Sequence, residues 1–423
     1  MTTATLLIEH ANQLVTVAGP PGPRRGLAQG DLGIVPDGAL AAGPRGEIVA
    51  VGTTEQVRSS VKLSGKATVI DATGMAVLPG FVDCHTHALF AGDRVDEFVL
   101  RLAGADYLEI LTAGGGILST VEATRALPEA ELVALGRRHL NDMLAHGTTT
   151  IEIKSGYGLA VDSELKMLRA ARTLAREAPV EVVSTFLGAH AVPSEFRDRP
   201  EAYVELVVEE MIPRVAGERL ARFCDVFCEL GAFSVEQGRR VLQAGLARGL
   251  GAKVHADQKS PLGGAMLAAE VGAVSADHLE YATDEAVGAL ARSGTAAVLL
   301  PGASLMLMEE ARPHARRLID AGVPVALATD FNPGTCPILS MPIIVGLACL
   351  RRLLTPAEAV VAATINAAHA VGLGDRLGSL ETGKQADLVI LDAPSFHHIP
   401  YWFGRNLVNT VVKRGRIAWS AAA

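Results

Sequence analysis

His85 and His87, separated by one residue in Phe-Val-Asp-Cys-His-Thr-His (81–87), are the pair whose type and spacing most directly suggest chemistry. On a β-strand, side chains two apart share a face, so these imidazoles can converge and form half of a metal site. His-x-His also arises by chance on protein surfaces. Here the pair ends an apolar segment launched by the Pro79-Gly80 turn, which favours a buried strand. His255 and Asp330, each at the end of a later apolar run, complete a three-histidine, one-carboxylate set that zinc or ferrous iron accepts. A catalytic ion keeps one position open for water and lowers that water's pKa to about 7. Asp330 would act as ligand, base or both; the competing reading is a turn residue before Asn332-Pro333-Gly334. Lys154 has two readings, a carboxylated lysine bridging two metals or a structural or electrostatic group beside one, and the single-metal reading is preferred.

These residues need a scaffold that brings strand ends together. Eight strand candidates, 81–87, 147–154, 181–190, 223–229, 252–257, 273–278, 296–301 and 323–330, alternate with helical stretches. This α/β pattern predicts a TIM-like (β/α)8 barrel. Most of the segments end at or beside a residue capable of chemistry: His87, Lys154, His190, Glu229, His255, His278 and Asp330. Such barrels carry their active sites at the C-terminal ends of the strands. A satisfied polar cap could explain any one of these residues but explains the whole set poorly. Between strands, Asp162 is a candidate N-cap for a helix carrying Leu165, Leu168, Ala171 and Leu174. A second helix is expected over 202–212, stopped by Pro213. Residues 1–75 and 376–423 look β-rich. They are expected to combine as one small composite β-sandwich domain, leaving 76–375 to the barrel.

Composition narrows the function class. The 423 residues are 49% hydrophobic, enough for a large core. The net charge of −8, with both signs interspersed, argues against nucleic acid or an anionic membrane as partner. No secretory leader pattern opens the sequence, and no apolar run reaches the roughly 18 residues of a membrane span. Five cysteines form no disulfide framework. Cys224 and Cys228 are read as core residues, since no second cysteine pair joins them in a metal site. A reduced, cytoplasmic protein is expected.

The motifs PGFVDCHTH, FAGDR, GGGILSTVEATR, KSGYGL, TFLGAHAVP, CDVFCELGAFS, VHADQ, ADHLEY and ATDFNPGT run through nearly the whole chain. Together they resemble the imidazolonepropionase family of the amidohydrolase superfamily. HxH points only to the superfamily, whereas KSGYGL and GGGILSTVEATR are far more specific. The segment 378–387 is similar to the entry of the returning strand in the superfamily's small β-domain. The resemblance implies hydrolysis of the cyclic amide C–N bond of 4-imidazolone-5-propanoate to N-formimidoyl-L-glutamate, a step of histidine breakdown. It implies one zinc or iron ion per chain on His85, His87, His255 and Asp330. It further implies substrate contacts from Arg94, Tyr107, Tyr157, His190 and Gln258, with Asn332, Gly334 and Thr335 near the product. The expected assembly is a homodimer.

The residue chemistry agrees with these implications. Arg94 offers a planar fork suited to the substrate's propionate; its alternative is a solvated surface arginine. Tyr107 and Tyr157 could donate hydroxyl hydrogen bonds or simply pack the core. His278 could stabilise a developing oxyanion or be a satisfied core histidine. Gln258 stands where some relatives carry glutamate and cannot be a general base, so proton transfer falls to Asp330 with His278. Two rivals remain: deamination of an aromatic heterocycle at a similar site, and a non-catalytic barrel, which would usually have lost metal ligands.

Overall fold

The apolar segments form eight strands: β1 (Phe81–Asp83), β2 (Thr148–Lys154), β3 (Glu181–Ala189), β4 (Phe223–Cys228), β5 (Gly251–Ala256), β6 (Ser275–His278), β7 (Ala296–Leu299) and β8 (Val325–Leu327). In this computed structural model, which describes residues 2–104 and 115–421, they pair in chain order. Every neighbouring pair is parallel. β1 and β8 meet just beyond their ends, where Asp330 N–H donates to His85 O (3.0 Å) and His87 N–H donates to Phe331 O (2.9 Å). The barrel therefore closes through the segments that carry the expected ligands.

Strand alternation separates two environments. Ile151 and Ile153 of β2 join the large apolar core beneath the outer helices. Thr150, Glu152 and Lys154 alternate with them and are fully buried, so they face the barrel interior. The helices form for local reasons. Ser234 and Gln237 make a reciprocal capping box at the start of Val235–Ala247, and Thr283 caps Asp284–Ser293. Helix Val161–Glu177 buries Leu165, Leu168, Ala171 and Leu174.

Two helix expectations need correction. Ala160, not Asp162, is the N-cap of Val161–Glu177; Asp162 lies in the first turn and makes no cap bond, where its charge still favours the helix N-terminus. Pro213 does not stop its helix. Pro200–Leu206 runs into a π-helical turn at Val207–Met211, and helix continues over Ile212–Gly217. In the π turn Ile212 N–H reaches back five residues to Val207 O, and this widening lets the proline enter without breaking the helix.

Both ends of the chain supply outer sheets. One has four strands, in the order Ile48–Thr53, Gly38–Ala42, Thr2–Ala11 and Val61–Asp71. The other has six: Arg416–Ser420, Val408–Lys413, Leu388–Leu391, Ala76–Pro79, Gln13–Val15 and Ile34–Val35. Leu6, Ile8 and Leu40 from the first share a core with Leu14, Val77, Leu388 and Val412 from the second. Ala76–Pro79 feeds straight into β1 through Gly80. A Cβ on Gly80 would lie 2.4 Å from the Thr149 side chain, so only glycine lets this connection pass against β2.

Candidate active site

His85 and His87 follow β1 in extended chain. Thr86 between them turns away, its hydroxyl donating to Glu152 O at 2.6 Å. The two imidazoles consequently face one point, with their Nε2 atoms 3.5 and 3.6 Å from Asp330 Oδ1. His255, near the end of β5, places its Nε2 3.3 Å from that of His87. Four tetrahedral donors at the usual zinc radius would stand about 3.3–3.4 Å apart, so this spacing fits a single ion. His85 Nε2 is buried with no hydrogen-bond partner among the described residues, an arrangement a bound cation would satisfy. His278 is in reach of the same centre: His85, His255 and His278 form a second possible ligand group sharing His85 with the group His85, His87 and Asp330.

The ligands are held from behind. His85 Nδ1–H donates to Asp277 Oδ2 at 2.6 Å; His255 Nδ1 lies 3.1 Å from Asp225 Oδ2 but outside hydrogen-bond geometry. A carboxylate on one ring nitrogen fixes the tautomer and aims the other nitrogen's lone pair at the metal. Beneath these carboxylates sit Glu152, Lys154 and Lys253, all fully buried. Lys154 Nζ is 2.7 Å from Asp225, 3.0 Å from Glu152 and 3.7 Å from Asp277. Burial alone would lower this ammonium's pKa, but Asp225, Glu152 and Asp277 outweigh it and raise the pKa. Lys154 is thus a charged ammonium among carboxylates, surroundings that oppose the extra anionic charge of a carboxylated lysine.

A cavity of about 510 Å3 opens above the centre, lined by His87, Arg94, Tyr157, His190, His255, Gln258, His278, Asp330, Asn332 and Thr335 among others. Arg94, just before helix Val95–Leu102, is clamped by Glu97 through Nε (2.8 Å) and Nη2 (2.5 Å). Glu97 is itself fixed by Arg101 at 3.0 Å and by Gly116 N–H at 2.8 Å. Arg94 Nη1 remains outside this clamp, packed on Gly334 so closely that a Cβ there would lie 1.9 Å away.

His190 stacks on His87 with ring centroids 4.9 Å apart. Its Nδ1–H donates to Gly156 O at 3.0 Å, and burial brings its pKa down to about 3, leaving a neutral ring. Burial, with the Asp330 carboxylate, raises the Tyr157 phenol, so it is a protonated donor. The Asn332 side chain is largely engaged in its own loop: Nδ2 donates to Asp330 O (2.6 Å), and Oδ1 accepts from Gly334 N–H (2.9 Å) and Thr335 N–H (2.7 Å). Gln258 lies on the loop after β5, which Glu229 anchors by accepting from Lys259 N–H at 2.8 Å and from the Ser260 hydroxyl. Tyr107 lies outside the described residues. Sequence reading missed Asp225, Asp277, Glu152, Lys253 and Glu97. The available signal was charge recurring at alternate positions of otherwise apolar strands, as in Glu152-x-Lys154 and Lys253-x-His255.

A closed parallel barrel with a histidine–carboxylate centre at its C-terminal rim defines an amidohydrolase, and the model of the amidohydrolase family matches residues 76–418. Among solved structures, a zinc-bound adenosine deaminase from Xanthomonas campestris superposes with a TM-score of 0.70 at 22% identity, covering 98% of this chain and 93% of its own. That likeness concerns the fold. Closer in sequence is the imidazolonepropionase of Symbiobacterium thermophilum, 57% identical over 413 residues, which are 97% of this chain and 96% of that protein. The Geobacillus kaustophilus imidazolonepropionase is 51% identical over 414 residues, 97% of each chain. The chain belongs to the imidazolonepropionase family.

Proposed function

We propose that this enzyme opens the ring of 4-imidazolone-5-propanoate with water, giving N-formimidoyl-L-glutamate, and that the residues lining the cavity act as follows. The observation that carries the assignment of roles is the placement of Arg94 and the histidine–Asp330 centre on one cavity. A substrate joining a carboxylate tail to a cyclic amide can engage both. Zinc or iron held by His85, His87, His255 and Asp330 would polarise the amide carbonyl and make the attacking water more acidic. Arg94 Nη1 binds the propionate, and the Glu97 clamp keeps the guanidinium from swinging away. Tyr157 donates to the substrate, while His190 offers a neutral imidazole and Gln258 an amide to the ring. Asp330 takes the proton from water as the new C–O bond forms, then returns it to the ring nitrogen as the C–N bond breaks. His278, deprotonated because burial lowers its pKa, donates a neutral N–H to the carbonyl oxygen as negative charge develops there.

No helix among the described residues is long and apolar enough to cross a membrane. The five cysteines are free, which supports a reducing, cytoplasmic setting. A homodimer with one ion per chain completes the reading, as does a composite outer domain from the two chain ends around the barrel; strand Ala76–Pro79, expected with the barrel, pairs in the outer sheet instead. The test is ring opening of 4-imidazolone-5-propanoate with and without a chelator. Turnover that chelation abolishes and zinc or iron restores is expected. Absence of turnover in metal-loaded protein would overturn the assignment, and full activity after verified metal removal would overturn the metal's role.

A further inference from the structure

We propose that Lys154 is a positioning residue for the metal centre: one buried ammonium bonds the Asp225 carboxylate that faces His255 and lies close to the Asp277 carboxylate that bonds His85. Its Nζ contacts Asp225 Oδ2 at 2.7 Å and approaches Asp277 Oδ2 at 3.7 Å. Those same two oxygens face His255 Nδ1 at 3.1 Å and His85 Nδ1 at 2.6 Å. The three groups come from different strands, β2, β4 and β6, so the lysine ties ligand supports across the barrel. Lys154 is itself registered against the ligand segment, because its backbone N–H donates to Thr86 O at 3.0 Å, between His85 and His87. Three buried carboxylates, Glu152, Asp225 and Asp277, surround two buried ammonium groups, Lys154 and Lys253. Without Lys154 they would repel one another in a low-dielectric interior. The oxygens facing the histidines would then shift from their present positions, and the rings they face would lose that fixed neighbour.

Lys253 supplies a matched control. It is equally buried, lies 3.1 Å from Glu152 and 4.0 Å from Asp277, and donates to Cys84 O at 2.9 Å, but its hydrogen bonds reach neither Asp225 nor Asp277. Lys154→Met and Lys253→Met therefore remove the same charge from the same interior, and only the first removes a hydrogen bond to a carboxylate that faces a ligand histidine. This inference rests on the metal-centre reading but not on the substrate, so the experiment needs none. Zinc affinity is measured by chelator competition on the purified full chain, alongside thermal melting of each metal-free protein. Lys154→Met should lose about 10- to 100-fold in zinc affinity, while Lys253→Met stays within roughly threefold of the parent; both should melt earlier.

Equal affinity losses in the two variants would reduce Lys154 to a general stabilising charge and overturn the proposal, as would an unchanged affinity in Lys154→Met. If Lys154→Met does not fold, Lys154→Met with Glu152→Gln, which removes one carboxylate for the cation lost, is judged by the same thresholds. Failure of the parent protein to bind zinc or iron would instead reject the metal-centre reading, a separate outcome.

Discussion

Replacing Gly334 by alanine adds one methyl group at the place where the site has no room for it. The new Cβ would stand 1.9 Å from Arg94 Nη1 and 2.4 Å from its Cζ. Gly334 is not in the left-handed region, so alanine meets a steric obstacle and no backbone penalty. An exposed arginine would swing aside. Arg94 is held by two hydrogen bonds to Glu97, and Glu97 is held by Arg101 and Gly116. Arg101 in turn donates to Gly334 O at 3.3 Å, so the same clamp restrains the loop that would have to move. Either response displaces Nη1 from the position proposed to bind the substrate carboxylate. One charge-assisted hydrogen bond contributes about 1.5–3 kcal/mol, so KM should rise roughly 10- to 150-fold. Asn332 ties the Gly334 backbone to Asp330, so if the guanidinium rather than this loop gives way, kcat should change by less than about threefold for uniform binding. Steady-state kinetics of Gly334→Ala beside Arg94→Ala decide the matter. If Arg94→Ala raises KM and Gly334→Ala does not, the close packing is not what places the guanidinium.

Four other outcomes are expected. Arg94→Ala should raise KM by a similar factor or more; unchanged kinetics would remove Arg94 from carboxylate binding. Asp330→Asn should lower kcat by roughly 100- to 10,000-fold while circular dichroism shows an intact fold, and a substantially active variant would refute its role. Elemental analysis should find about one zinc or iron per chain, and two tightly held ions would refute the single-ion centre. Burial alone would raise the Glu181 carboxyl, but Arg376 and Arg414 outweigh it and hold the pKa below the ordinary glutamate value. A depressed folded-state pKa gives stability that is complete above the unfolded value and lost as pH falls through the folded one. Glu181→Gln should therefore melt earlier than the parent at pH 7, with the gap closing progressively below about pH 4.5; a gap independent of pH would refute the assignment.

The barrel was legible because its strands are short apolar runs between turns, and the centre was legible because histidines and an aspartate stand at their ends. The layer beneath was not. Asp225 and Lys253 are paired in register between β4 and β5, and His255 and Asp277 between β5 and β6. Such neighbours are far apart in the chain, and each alone looks like a stray charge in an apolar strand. Glu97 was hidden for a related reason: in sequence it is an ordinary first-turn acid of a helix, and only folding brings Arg94, Arg101 and Gly116 around it. Pro213 misled because a proline normally ends a helix, whereas the π turn that admits it is set by packing. For Asn332 the motif implied only a place near the product; its hydrogen bonds, which shape the loop presenting Asp330 and Gly334, become visible only in the fold.

The closing seam of the barrel and the metal centre are one piece of structure. β1 ends at Asp83 and β8 at Leu327, yet the hydrogen bonds joining the two sides lie further along, at His85, His87, Asp330 and Phe331. Asp330 sits at φ 55, a left-handed conformation that costs an aspartate about 1–2 kcal/mol. That conformation is maintained from both sides, by its own N–H on His85 O and by the Asn332 amide on its carbonyl. The two ligand segments are therefore fixed to each other through backbone before any ion arrives. Rotation of the His85 side chain is restricted separately by its hydrogen bond to Asp277. A site built this way has its donors near their working separations in advance, so less of the metal's binding energy is diverted into ordering them. The same bonds complete the sheet, so a change that loosens the seam at Asp330 N–H should weaken metal binding and barrel stability together, whereas loss of the Asp330 carboxylate alone should weaken only the first.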